Sequence, residues 1–287
     1  MGRRMGGDDT AAKTDHQRLV DDHFRRASSY WKDVYGESSL FGTIYQQRRA
    51  LALEWIDRLE LPRESRALEI GCGAGLLSVD LVGRGFKVDA IDSSDAMVEL
   101  TNRQAEEAGI GDRFSASLGD AHSLDYFLQT FQLVVAVGVL PFLHSPGLAI
   151  AEMARVLTPG GYALFTSDNK YRLNHFLEPL LSPPLGPARR AVKFILEAVP
   201  GLPTRTRQPS AYRLTSGRDL RRWLAQAGLV ETRFRTLGFG PFSMLRRPLL
   251  GEDAGIRVHQ RLQALADRDV PLLRSSGSQQ IVLAVRP

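Results

Sequence analysis

From residue 66 onward, short apolar runs alternate with stretches in which apolar residues return every three or four positions. The runs read as buried strands and the spaced stretches as amphipathic helices. Residues 66–70 form the first expected strand and 76–82 the helix after it. Residues 87–91 give a second strand ending at Asp92, then a helix over 95–108 that Gly109 is placed to stop. A third strand, 113–117, leads to Gly119-Asp120, and a fourth spans 131–137. A helix over 149–156 stops at Thr158-Pro159-Gly160-Gly161, and a fifth strand covers 162–167. Such alternation predicts the α/β class, a parallel sheet covered on both faces.

The flanks are less regular. Residues 1–15 are polar and glycine-rich and read as a disordered tail. From 16 to about 60 the pattern is helical, with Leu19, His23 and Phe24 on one face and Leu51, Trp55 and Leu59 on another. These residues are expected to form an N-terminal helical cap on a domain covering 61–287. Between the two faces lies an aromatic segment, 30–37, with Tyr30, Trp31 and Tyr35, which is either a helix on the sheet edge or a flap over a ligand. Residues 170–212 hold seven prolines and read as a substrate-binding insertion after strand five, with a helical island over 188–199. Ser216 is placed to cap a helix over 217–226, which Gly228 ends. A sixth strand is expected over 229–237, a second irregular insertion with a helix at 255–266 follows, and a last strand covers 280–285.

Composition narrows the function classes. The 287 residues are 43% hydrophobic and 24% charged, which suits a globular domain. The single cysteine, Cys72, excludes an internal disulfide and fits a reducing compartment. The N-terminus shows no apolar signal region, and no stretch reaches the roughly 18 apolar residues of a membrane span, so the expected location is the cytoplasm. No CxxC or HExxH spacing is present, and no metal is expected. The net charge of +5 is compatible with an anionic substrate, a membrane surface or RNA.

The strand-to-helix junction carries the candidate chemistry. After 66–70 come Gly71, Gly73 and Gly75, with Cys72 between the first two. Glycines at alternate positions let a ligand approach the backbone, and the next helix turns its free N–H groups to the same place. A dinucleotide fingerprint would need its third glycine at 76, where Leu76 stands. No Gly-Lys-Ser/Thr follows, so a phosphate P-loop is excluded. Asp92, about twenty residues on, is placed for a ribose diol. Asp120, after strand three, is placed to accept a hydrogen bond from an exocyclic amine such as adenine's. Two carboxylates and a loop too short for pyrophosphate describe a nucleoside carrying an amino-acid group. Cys72 reads as the small side chain that such a loop admits rather than as a nucleophile.

The stretches LEIGCGAG, AIDSS, GDA and RVLTPGG together resemble the successive motifs of class I S-adenosylmethionine-dependent methyltransferases. The resemblance implies a Rossmann-like seven-stranded sheet whose last strand is antiparallel and inserted between strands five and six. It implies S-adenosylmethionine as cofactor and S-adenosylhomocysteine as product. By the same likeness Glu69, Gly71, Cys72, Gly73 and Gly75 surround the methionine part. Asp92 and Ser93 take the ribose, Met97 packs on adenine, Asp120 with Ala121 holds the base, and Val137 lies beside the methionine moiety. The segment YWKDVYGESSLFGTIYQQRRALALEWIDRL resembles the start of Mg-protoporphyrin and quinone-type O-methyltransferases, which makes Tyr30, and after it Trp31, a residue closing over the cofactor. Those relatives place an acid and a histidine after strand four; here Gly138 and Phe142 stand there, with a histidine two residues later at His144.

The expected reaction is O-methylation of a small apolar or aromatic acceptor in quinone, lipid or natural-product metabolism, with no obligate protein partner. His144 is the first candidate base, with Tyr30, Tyr45 and His175 as alternatives. Phe41, Phe176, Leu177, Phe239, Phe242 and Met244 are candidates for an apolar acceptor pocket. Arg189, Arg190 and Lys193 beside Phe194 suggest peripheral contact with a lipid surface. Two rival readings are a cyclase or binding protein that keeps the cofactor without transferring methyl, and an RNA methyltransferase. The second lacks a separate RNA-binding module.

Overall fold

The structure is a computed structural model, and it describes residues 20, 38–178, 181–182, 186–187, 212–245 and 247–287. Helix α1 (Leu40–Asp57) precedes β1 (Arg66–Ile70), α2 (Leu76–Gly83), β2 (Lys87–Asp92), α3 (Asp95–Glu107) and β3 (Phe114–Leu118). Then come β4 (Phe131–Ala136), α4 (Pro146–Val156), β5 (Leu157–Asp168), a short α5 (Leu173–Leu177) and α6 (Gly217–Gln226). The chain closes with β6 (Val230–Leu237), a small β7–β8 hairpin (Ser243–Met244 and Arg247–Pro248), α7 (Glu252–Asp267), α8 (Leu273–Ser276) and β9 (Gln279–Val285).

Seven strands form one sheet in the order β3-β2-β1-β4-β5-β9-β6. Strands β1 to β5 pair in parallel, while β9 is antiparallel to both β5 and β6. This is the expected arrangement, with the last strand between the fifth and sixth. The central strands read as unbroken apolar runs because both of their faces are covered. Along β4, Val134 and Ala136 point into one core with Ile150 and Met153 of α4 and Leu220 and Leu224 of α6. Leu133 and Val135 point the other way, among Leu51, Trp55 and Ile56 of α1 and Leu77 and Leu81 of α2. Each fully buried side chain of this size contributes roughly 1.5–3 kcal/mol relative to exposure.

Two expectations change. Helix α1, read as part of a cap, is one of the covering layers of the sheet and shares its core. Strand β5 begins at Leu157 rather than 162, so the Thr-Pro-Gly-Gly segment lies within it. Leu157 pairs with Phe131 before a register shift, and Gly160 and Gly161 exchange hydrogen bonds with Arg286 at 2.7 and 2.9 Å. Proline is tolerated there because the strand is irregular at that point. The tail over 1–15, the aromatic segment with Tyr30 and Trp31, and the basic helix with Arg189, Arg190 and Lys193 lie outside the described residues. Among the described residues no helix is long and apolar enough to cross a membrane.

Candidate active site

The carboxyl ends of β1, β2, β3, β4 and β5 surround a cavity of about 210 Å³. An open parallel sheet places a ligand here, where neighbouring loops diverge. Along one half run Glu69, Gly71, Cys72, Gly73, Asp92, Ser93, Met97, Asp120, Ala121 and Val137. All were expected to hold the cofactor from the sequence, and the fold brings them together from four separate segments, at the ends of β1, β2, β3 and β4.

The loop after β1 is held by the strand beside it. Gly71 N–H donates to Ile91 O at 2.7 Å, and Gly73 N–H donates to Asp92 Oδ2 at 3.1 Å. Gly73 has a positive φ of 55°, and a Cβ there would meet nothing within 4 Å, because it would project into open space. Gly75 differs from its expected role. It is not among the lining residues, and a Cβ on it would sit 3.2 Å from the Cα of Thr101. It lets α3 approach the turn, and Thr101 Oγ1 then donates to Gly73 O at 2.7 Å.

Each acid has a distinct setting. Glu69 is buried, accepts a hydrogen bond from Ser78 Oγ, and has its carboxyl pushed up to about 8 by burial, against that hydrogen bond. Asp92 also accepts Ser94 N–H at Oδ1, 3.0 Å away. Asp120 is held by His122, whose backbone N–H and Nδ1 both lie against Oδ1, at 2.9 and 2.6 Å. Ser145 N–H donates to His122 Nε2 at 3.3 Å, so Nδ1 carries the hydrogen given to Asp120. That hydrogen bond holds Asp120 below the usual carboxylate range. Burial pushes the Cys72 thiol far above its ordinary value, which fits a packing role rather than a nucleophile.

The other half of the cavity is built from Val20, Tyr45 and Arg48 of the N-terminal segment, Gly138, Val139, Pro141, Phe142 and Leu143 after β4, Asp168 at the end of β5, Tyr212 and Gln279. His144 is not among its lining residues; its ring stacks on His122, with centroids 3.7 Å apart. His175 does not line it either, whereas Tyr45 does. The six side chains expected to make an apolar acceptor pocket lie elsewhere. Phe239 and Phe242 pack with Ala266 in a separate small core, and Phe41, Phe176, Leu177 and Met244 are exposed. Periodicity marks a face as apolar and says nothing about which loop it meets. Phe142 and Tyr212 take that place, their rings edge to face at 5.6 Å.

Residues 67–161 match the family described as a methyltransferase domain, a span that contains the glycine loop and all three acids. The chain carries a class I S-adenosylmethionine-dependent methyltransferase domain. A ubiquinone biosynthesis O-methyltransferase from Burkholderia orbicola (strain MC0-3) is 32% identical over 118 residues, 41% of this chain and 50% of that protein. The chain thus spans about half the length of the first curated relatives it matches. A protein of the same description from Alkalilimnicola ehrlichii is 25% identical over 244 residues, covering 84% of this chain and 90% of the relative. Among solved structures, the magnesium protoporphyrin IX methyltransferase of Synechocystis PCC 6803 with bound SAH overlays with a TM-score of 0.59 at 18% identity, covering 94% of this chain and 100% of that one. At that identity the overlay speaks for the methyltransferase fold alone.

Proposed function

We propose that the protein transfers a methyl group from S-adenosylmethionine to an oxygen of a small acceptor that is aromatic or largely apolar. What carries this reading is one continuous cavity with two unlike halves. One holds a glycine loop and three acids, and the other holds Tyr45, Phe142 and Tyr212. The curated relatives named as ubiquinone biosynthesis O-methyltransferases support oxygen as the methylated atom and a quinone-like ring as the acceptor. The fit to the cofactor rests on the open space above Gly73 and on the two carboxylates at the ends of β2 and β3.

In this reading Asp92 takes the ribose hydroxyls, Asp120 the adenine amine, and Met97 packs on the ring. Glu69 and the backbone of Gly71 and Gly73 face the methionine part. Bound S-adenosylmethionine supplies an electrophilic methyl on a sulfonium. The protein's task is to align the acceptor oxygen with it and to keep water out. Phe142 and Tyr212 close the acceptor half, and Tyr30 remains a candidate for closing the cofactor half. A phenolic acceptor needs little help losing its proton, so His144, stacked on His122, serves best by steadying the Asp120 arrangement. The reaction is placed in the cytoplasm by the same reading.

Incubation with methyl-labelled S-adenosylmethionine and a set of catechols and quinols tests it. Label is expected on a methyl ether, and the His144→Ala enzyme is expected to keep turnover within about three-fold once S-adenosylhomocysteine binding is matched. Label on nitrogen, on RNA or on no product would displace the reading.

A further inference from the structure

Helix α1 turns Leu40, Ile44, Leu51, Ala52, Trp55 and Ile56 into the core, and in the middle of that apolar face stands Arg48, only 5% exposed. Burying a guanidinium costs several kcal/mol before compensation. A methionine or leucine would pack on such a face without that cost. Arg48 instead reaches the cavity wall, with its guanidinium carbon 4.7 Å from the centroid of the Tyr45 ring. It lies against Gly138, two residues past the end of β4: a Cβ on Gly138 would be 3.4 Å from Arg48 Nη1. Glycine there leaves the guanidinium room to approach the backbone.

The sheet order locates this charge. Of the three acids of the cofactor half, Asp92 and Asp120 stand at the ends of β2 and β3, and Glu69 lies in β1 ahead of the glycine loop. The methionine end therefore points towards β4, and the wall beyond β4 belongs to the acceptor. Asp168, at the end of β5, lies in that wall with its side chain 15% exposed. Arg172 is placed next to it, Nη2 to Oδ2 at 3.6 Å, and is itself 12% exposed. Burial pushes the Asp168 carboxyl up, while the charges of Arg172 and then Arg48 pull it down. Burial also moves Arg172 down, so both members of the pair feel desolvation more than each other.

We propose that Arg48 is an anchor for a negatively charged oxygen on the acceptor, with Asp168 and Arg172 setting its position and charge. The acceptor then reaches the transfer point as an oxyanion, either a phenolate or a carboxylate. A planar guanidinium with five N–H donors suits such an oxygen and holds it as an anion. The word acceptor rests on the methyl-transfer reading; the anion site does not.

The test is titration calorimetry on the S-adenosylhomocysteine complex at pH 8 with two matched pairs of probes: 4-nitrophenolate against 4-nitroanisole, and benzoate against methyl benzoate. In at least one pair the anion is expected to bind about ten-fold tighter than its neutral partner, the worth of one charge-assisted hydrogen bond. The pair that shows it tells phenolate from carboxylate. Arg48→Gln should abolish the preference while S-adenosylhomocysteine binding stays within about two-fold, and Arg48→Lys should keep part of it. Asp168→Asn removes an opposing charge and should tighten anion binding further, which decides the matter if Arg48→Gln does not fold. A wild-type protein that binds no anion, binds each pair alike, or keeps its preference in Arg48→Gln overturns the proposal, as does weaker anion binding in Asp168→Asn. Anion preference without label transfer would sink the methyl-transfer reading and leave this site standing. Label transfer to neutral acceptors, undiminished in Arg48→Gln, would do the reverse.

Discussion

At the scale of single residues, Glu69 has the most to report. Its carboxyl is raised from 4.5 to about 8 in the folded chain, chiefly by burial. Between those values the folded state holds a proton that the unfolded state releases. Stability from this group is therefore full below about pH 4.5 and is lost as pH rises towards 8. The slope is bounded by about 1.4 kcal/mol per pH unit. Melting curves of the ligand-free protein from pH 5 to 8 should show a decline that is shallower in Glu69→Gln. A cationic amino group brought beside Glu69 favours the ionised form, so S-adenosylhomocysteine binding should release a proton. Calorimetry in buffers of different ionisation enthalpy reads that proton directly, and Glu69→Gln should remove it. The pattern of residues showed Asp92 and Asp120, because acids placed after strand ends stand out, and the family resemblance added Glu69. It gave no warning of His122, which orients Asp120 from two residues away, nor of Arg48, hidden inside an otherwise apolar helical face.

Elements were legible where one period dominates. Strands β1, β2, β4 and β9 begin and end within a residue of their expected bounds, because an apolar run covered on both faces has no competing reading. Strand β5 was not, since proline and two glycines signal a break and only its pairing with Phe131 and Arg286 shows that the strand continues. Helix α6 shows more than its pattern promised. Ser216 Oγ accepts Asp219 N–H at 3.2 Å, and Asp219 accepts in return from Ser216 N–H, a reciprocal capping box. Replacing Ser216 by alanine should cost about 1 kcal/mol. Urea unfolding followed by circular dichroism should show a lower midpoint with an unchanged slope.

For the molecule as a whole, the cofactor half of the cavity is assembled from separate segments that only the native sheet brings together. A ligand that bridges them stabilises the folded state alone. At one hundred times its dissociation constant, S-adenosylhomocysteine should add about 2.7 kcal/mol, raising the melting temperature by roughly 5–10 °C. Asp92→Ala should lose most of that rise, measured by thermal shift at fixed ligand concentration. The sequence reading reached this half because its residues follow one another in a recognisable order. Of the acceptor half it reached Tyr45 and the turn after β4 with Gly138 and Phe142; Arg48, Asp168, Tyr212 and Gln279 stayed out of reach, because they come from separate parts of the chain that no periodicity connects. The placement of β9 also bears on how the chain is made. Among the described residues strand β6 pairs only with β9, and β5 has its outer edge bare until β9 arrives. During synthesis from the N-terminus the sheet therefore waits in two unjoined pieces. It becomes one body only when the ribosome has delivered residues 279–285 and β9 has paired with both β5 and β6, whose facing edges stay open until then.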